Sequence, residues 1–268
     1  MKINNLNNYT YSFNAKEEKD KIVQWIQDWF EENGKNCKAI VGVSGGKDST
    51  VVAALCVEAL GKERVIGIVM PNGIQRDIGE AIEVVKHLNI RCMVTNIEKA
   101  FNGVLENIND IYTPKVNEFI GFDISEQTRI NLAPRIRMAT LYAISQSVNG
   151  RVANTSNLSE ATIGYETRWG DAVGDFSPLV NYTATEVIAI GKELGLPIEL
   201  LEKAPADGLT GKTDEDALGF TYEALDKFIR TGICENEEDK RRILNLYEKN
   251  YFKHFMPQSY DNNLPFCI

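Results

Sequence analysis

The sequence predicts an α/β protein, a doubly wound and mostly parallel sheet with helices on both faces. Three observations predict it. Short apolar runs of strand type occupy residues 39–43, 64–70 and 90–94. Longer stretches with apolar residues at helical spacing separate them, and the order β-α-β-α-β belongs to a parallel sheet. The first run ends in Ser44, Gly45 and Gly46, and a helix begins directly after it. A strand that feeds a helix through two glycines points several backbone N–H groups at one spot. That spot also sees the positive end of the helix dipole, so it suits an anion such as phosphate.

Taken in order, residues 15–33 form an amphipathic helix with Ile22, Ile26, Trp29 and Phe30 on one stripe, Val23 and Trp25 beside it, and Gly34 past its end. Two tryptophans there are read as core or as a subunit contact. The helix after the glycine turn runs to about Leu60 and is apolar on most sides, through Val51, Val52, Ala53, Ala54, Leu55 and Val57. Asp77, in the loop after the second strand, can cap a helix ending near Leu88. Gln75 lies in the same loop, at the carboxyl end of a strand, where it is placed to meet a nucleotide. Taken alone it is a solvated loop residue.

Residues 97–111 read as helix, followed by a loop around Pro114 and a long helical segment to about Val148. Pro134 either kinks that segment or marks its first turn. Asn131 and Arg135 share a face there, Arg137 points elsewhere, and Tyr142 lies two turns beyond Arg135. Residues 151–154 are a fourth strand. The segment TSNLSEATIGYETRWGDAVGDFSPL follows at its carboxyl end and carries Thr155, Glu160, Arg168, Asp171 and Asp175 among glycines. So polar a run after a buried strand is where an active site is expected, and its plain alternative is a solvated loop.

Further helices are expected at 183–194, capped by Thr183 or Thr185, and at 220–230 and 237–253, with a short turn and helix in LGLPIELL. The polar, glycine-bearing stretch 203–219 reads as a mobile loop, and the tail with Pro257 and Pro265 as extended. No repeat or linker divides the chain, so residues 1–268 are read as one domain with a lid at about 203–219.

The chain of 268 residues is 43% hydrophobic and 25% charged, an ordinary globular composition. It shows no apolar run of membrane-spanning length and no signal peptide. Five scattered cysteines without a CxxC pair suggest neither zinc nor a disulfide framework, and a reduced cytoplasm fits best. Two histidines argue against a histidine triad or metal site. A net charge of -9 argues against extensive nucleic-acid binding.

The phosphate turn is not a Walker loop, because Val41 stands at the first glycine position and Asp48 replaces the Ser/Thr. SGGKDS resembles instead the pyrophosphate-binding loop of the N-type ATP pyrophosphatases, which cut ATP between the α and β phosphates. Over nearly its whole length the chain resembles the ammonia-dependent NAD synthetases. The resemblance is carried by GVSGGKDS, MPNGIQRD, NLAPRIRM, NTSNLSE, GDAVGDFSPL and PADGLTGKTDEDALGF. It implies an adenine nucleotide alpha hydrolase-like, Rossmann-like fold. It implies that ATP adenylates the carboxylate of deamido-NAD, and that ammonia displaces AMP to give NAD. No protein nucleophile is needed for this, so the protein's work is to position and neutralise two anions.

The resemblance also implies residue roles. Gly42, Val43, Ser44, Gly45, Gly46, Lys47, Asp48 and Ser49 form the ATP loop, and Thr155 matches an ATP contact. Asp48 and Glu160 match magnesium ligands, a donor set that suits a hard ion. Arg135, with Tyr142 nearby, Arg168 and Asp175 fall where deamido-NAD binds, and Lys253 is matched loosely to a C-terminal basic contact. Asp171 matches the residue that receives ammonium and takes its proton, so Asp48 and Asp171 are the expected catalytic pair. A homodimer is implied as well. Many members have Gln at Lys47, Lys at Arg168, an ATP-contacting Lys at Ala184 and a phosphate-contacting Thr at Ala206. Lys212 is the candidate to replace the charge missing at Ala184. The rival readings are another ATP pyrophosphatase, GMP synthetase-like or tRNA-modifying, and a nucleotide-binding module without catalysis.

Overall fold

The structure, a computed structural model, describes residues 11–75, 78–113, 118–120, 123–202 and 213–255. Helix α1 (Ala15–Gly34) starts where Asn14 accepts a hydrogen bond from the Glu17 N–H, and it buries Ile22, Ile26 and Phe30 at four-residue spacing. Strand β1 (Lys38–Gly42) leads through the glycine turn into α2 (Lys47–Leu60). Then follow β2 (Val65–Val69), α3 (Ile78–Leu88), β3 (Arg91–Val94) and α4 (Glu98–Asn109). Strands β4 (Ile111–Thr113) and β5 (Glu118–Ile120) pair antiparallel. Helix α5 (Glu126–Ser147) returns the chain to β6 (Gly150–Val152). After it come α6 (Leu158–Ile163), α7 (Ala184–Glu193), α8 (Ile198–Leu201), α9 (Asp214–Leu218), α10 (Tyr222–Thr231) and α11 (Glu237–Asn250).

The main sheet has the order β3-β2-β1-β6, and its pairs are parallel. Residues of β1 and β2 alternate between two cores. Ala39, Val41, Val65 and Val69 face one packed by α1, α2, α3 and α7. Ile40, Ile66 and Ile68 face another with Met138 and Leu141 of α5. Period-two alternation with both faces covered is the reason these strands carry almost no polar residue. A third, smaller cluster joins Ile163, Ala184, Phe220, Tyr222, Leu225 and Ile243.

Several expectations change. Pro134 lies well inside α5, not in its first turn. Residues 111–113 and 118–120 pair as antiparallel strands where helix end and loop were expected. The segment after β6 is not all loop, because Asn157 and Glu160 make a capping box that starts α6. The stretch 203–219 ends in helix α9, and its residues 203–212 lie outside the described residues, as do Asp77 and the tail beyond Phe255. The last helix stops at Asn250, and a 3-10 turn, Tyr251–His254, follows.

Candidate active site

Strand order reverses between β1 and β6, since the chain runs β1, β2, β3 to one side and returns through α5 to the other. Ligands of doubly wound sheets bind beyond the carboxyl ends of the strands at that point. The two chain segments that leave it here are Val43–Ser49 and Ala153–Glu160.

In the first segment, Gly45 has φ +88°, and a Cβ there would stand 2.9 Å from the Ala81 nitrogen of α3. Only glycine meets both demands. Gly46 caps α2 without a side-chain hydrogen bond to the helix, which leaves its N-terminus open to an anion. The Ser44 hydroxyl accepts from the Gly46 N–H at 3.2 Å and lies 3.1 Å from the Ser49 hydroxyl, so the turn is held by its own side chains.

Lys47 is 6% exposed, and its Nζ lies 2.8 Å from Asp48 Oδ2. Burial alone would lower its pKa, but the charges of Asp48 and Glu160 raise it, so it stays an ammonium. Asp48 Oδ1 accepts from Asn157 Nδ2 at 2.9 Å, and Asn157 Oδ1 accepts from the Glu160 N–H at 3.0 Å. The Asn157 N–H also donates to Glu160 Oε2 at 3.4 Å, so this asparagine ties the Asp48 carboxylate of α2 to the first turn of α6 across the switch point. Burial raises the Glu160 carboxyl well above its usual range, the Asp48 charge adds to this, and Lys47 opposes it. Asp48 is therefore partly buried and bonded on both oxygens, not a side chain at the surface of the turn. The Lys47 ammonium also stands 5.4 Å from the centre of the Tyr222 ring. Asp214, 9% exposed, accepts from the Tyr165 hydroxyl at 3.3 Å.

The loop from Tyr165 to Phe176 is pinned to the end of β6. Asn154 Nδ2 and the Ser156 hydroxyl both donate to the Asp171 carbonyl, at 2.8 and 3.1 Å. Gly174 passes so close that a Cβ would lie 2.5 Å from the Asn154 nitrogen. Asp171 is an exposed residue whose Oδ1 accepts from the Thr167 N–H at 3.0 Å. Burial of that carboxylate raises its pKa, against the hydrogen bonds from Thr167 and the Lys253 charge. Its charge reaches Glu160, so both expected catalytic groups share one field. Glu166 joins them, raised by burial and by Asp171 and lowered by the Ser156 hydroxyl.

The residues expected at the dinucleotide form a second group. The Tyr142 hydroxyl donates to Asp175 Oδ1 at 3.4 Å, while Asp175 Oδ2 accepts from the Val152 N–H at 2.7 Å. Arg135 Nε donates to the Arg168 carbonyl at 3.2 Å. The Arg168 guanidinium lies over Trp169 and Phe252 and donates to the Phe255 carbonyl. Lys253 donates to the carbonyls of Gly164 and Glu166 at 2.7 and 2.9 Å, and burial lowers its pKa. Gln75 is partly exposed in the loop after β2, and Thr155 is partly exposed at the end of β6. Ala184 is buried in the small cluster around Tyr222. Lys212 and Ala206 lie outside the described residues.

Sequence reasoning missed Asn157, Glu166, Asp214 and Tyr222. The N-x-x-E spacing of Asn157 and Glu160 is a capping-box signal and could have flagged the first. The other three are brought in by packing alone.

This sheet and switch point define a doubly wound α/β protein with a glycine turn beside paired carboxylates. The family model described as NAD synthase matches residues 18–257, and the chain belongs to that family. It is 41% identical over 230 residues to the NH(3)-dependent NAD(+) synthetase of Thermococcus sibiricus, covering 84% of this chain and 85% of the relative. Among solved structures it is similar to the NMN synthetase from Francisella tularensis, with a TM-score of 0.81 and 30% identity over 93% of this chain and 100% of the other. It is also similar to the NH3-dependent NAD synthetase from Campylobacter jejuni in complex with the nitrate ion. That TM-score is 0.73, with 26% identity and the same coverage.

Proposed function

We propose that this protein is a ligase that amidates deamido-NAD with ammonia at the expense of ATP, giving NAD, AMP and pyrophosphate. The observation that carries the reading is the Asp48–Asn157–Glu160 link beside the open N-terminus of α2, with Asp171 in the same field. In the first step an oxygen of the substrate carboxylate attacks the α-phosphorus of ATP, and pyrophosphate leaves with the electron pair of the broken P–O bond. In the second, ammonia attacks the acyl carbon and AMP departs. Ammonium must first lose a proton, and the Asp171 carboxylate, raised by burial, both attracts the cation and accepts that proton. The loop N–H groups and the α2 dipole serve the phosphate charge.

Magnesium fits the residues present. Asp48 and Glu160 offer two hard oxygen donors, and the Lys47 ammonium already stands as a cation on Asp48. When bound, the ion would neutralise phosphate charge. Arg135, Tyr142, Arg168 and Asp175 are proposed for the dinucleotide, and Gln75 and Thr155 for ATP. A homodimer, a single domain and a cytoplasmic setting complete the reading. No helix among the described residues is long and apolar enough to cross a membrane. Trp25 is exposed on α1 and available to a subunit contact, whereas Trp29 stacks on Phe176.

A second substrate is favoured by one observation. The structure with TM-score 0.81 is named an NMN synthetase, so the carboxylate mononucleotide is a candidate for the same chemistry. The test incubates the protein with ATP, magnesium and ammonium and with either deamido-NAD or the mononucleotide acid, following AMP and the amide product. AMP without either amide would point to another ATP pyrophosphatase, and no AMP to a binding module.

A further inference from the structure

We propose that the Tyr222 hydroxyl is a further ligand-contacting group of this site, donating a hydrogen bond to a non-bridging oxygen of the ATP β- or γ-phosphate. The proposal rests on the reading of the glycine turn as an ATP site. Tyr222 opens α10 and is 7% exposed, and its ring packs with Ile163, Phe220, Leu225 and Ile243. Its hydroxyl is buried and has no hydrogen-bond partner among the described residues. Burying an unpaired hydroxyl is unfavourable, so phenylalanine would suit this packing better if packing were the whole role.

The surroundings say what the hydroxyl faces. The Lys47 ammonium lies 5.4 Å from the ring centre, and after burial itself the charges of Glu160, Asp214 and Asp48 are what raise the phenol pKa. It therefore stays protonated and is a donor in the field of these carboxylates. The nearby carboxylates are already engaged. Asp48 is held by Lys47 and Asn157, Glu160 by Asn157, and Asp214 by Tyr165. Among the described residues none accepts from the Tyr222 hydroxyl, and an oxygen of a bound ligand would supply the acceptor. Water on a metal has committed its lone pair and mainly donates, whereas a phosphate oxygen accepts.

The experiment uses Tyr222→Phe in the full chain. Thermal midpoints are measured without ligand, and titration calorimetry is run with magnesium ATP, magnesium pyrophosphate and AMP. The midpoint without ligand should equal or exceed that of the wild type. The dissociation constants for ATP and pyrophosphate should rise about tenfold, the scale of one hydrogen bond to a charged acceptor. AMP affinity should not move. Binding of ATP and pyrophosphate within about twofold of wild type would overturn the proposal, as would an equal loss for AMP. A lower midpoint with unchanged affinities would assign the hydroxyl to the fold instead. Failure of the wild-type protein to bind magnesium ATP would overturn the ATP reading itself, and is told apart by that control.

Discussion

Asp48→Ala removes a carboxylate that faces two ways, toward the Lys47 ammonium at 2.8 Å and toward the Asn157 amide at 2.9 Å. Lys47 is 6% exposed, so the change strands a buried charge. Breaking a buried pair by removing one partner costs about 3–5 kcal/mol. Glu160 and Asp214 still attract the ammonium, which puts the expected cost at the lower end, about 3 kcal/mol. With about 2.1 cal/mol/K of unfolding entropy per residue, 268 residues convert that into a midpoint about 5 °C lower. Catalysis should fall at least about 10²-fold, the scale of a lost preorganised charge contact. The double change Lys47→Met with Asp48→Ala separates the two effects, because the stranded ammonium is gone and the Glu160 carboxyl, already raised by burial, can take up a proton. Its midpoint should recover to within about 2 °C of wild type while activity stays lost. The assays are a thermal melt and the rate of NAD formation. A single variant that melts like wild type refutes the argument from Lys47 burial. One that retains activity within a few-fold refutes the metal assignment.

Asp171→Asn keeps the shape but can neither attract ammonium as strongly nor take its proton, so rapid quench should find the adenylate formed and not consumed. Equal loss of both steps would give Asp171 a binding role. Because the Asp171 pKa is raised, the wild-type amidation rate should fall as acidification protonates it, and the variant should lose that dependence. Glu186, 3% exposed, accepts from Arg230, the Tyr11 hydroxyl and the Thr183 N–H, and these bonds outweigh burial and lower its pKa. A lowered folded pKa gives stability that is present above the unfolded value, 4.5, and is lost as pH falls through the folded one. Glu186→Gln should therefore cost about 3 kcal/mol in urea unfolding at neutral pH and much less in acid, and an equal cost at both would sink the assignment. Gly174→Ala drives a Cβ to 2.5 Å from the Asn154 nitrogen, which is itself bonded to the Phe176 carbonyl at 2.8 Å. A loss of about 2 kcal/mol with reduced activity is expected, and an unchanged melt would show that the loop yields freely.

Where the structure repeats the expected pattern, the signal was local. Residues 38–60 read as strand, turn and helix because alternation, two glycines and a run of helix formers are features of neighbouring residues. Thr183 and Glu186 form the box that caps α7, again within one turn of chain. The resemblance also picked the two segments that meet at the switch point. It could not say how they meet. Asn157 reaches Asp48 across 109 residues of sequence, and no spacing rule connects them.

What the sequence by itself determined is the α/β class, the glycine turn from β1 into α2 and the polar segment behind the fourth strand, since periodicity and turn chemistry act over a few residues. What only the tertiary structure decided is the state of the charges and the membership of the site. Lys47 would be an ordinary solvated lysine in the chain. Folding seats it beneath Tyr222 of α10 and between the Asp48 and Glu160 charges, so burial and opposite charge set its role. Pro134 in the interior of α5, the antiparallel pairing of β4 with β5 and the buried Tyr222 hydroxyl were likewise decided by distant packing. The physical reason is that desolvation and Coulomb interaction depend on distance in space, which the sequence does not contain until the sheet has brought β1 beside β6.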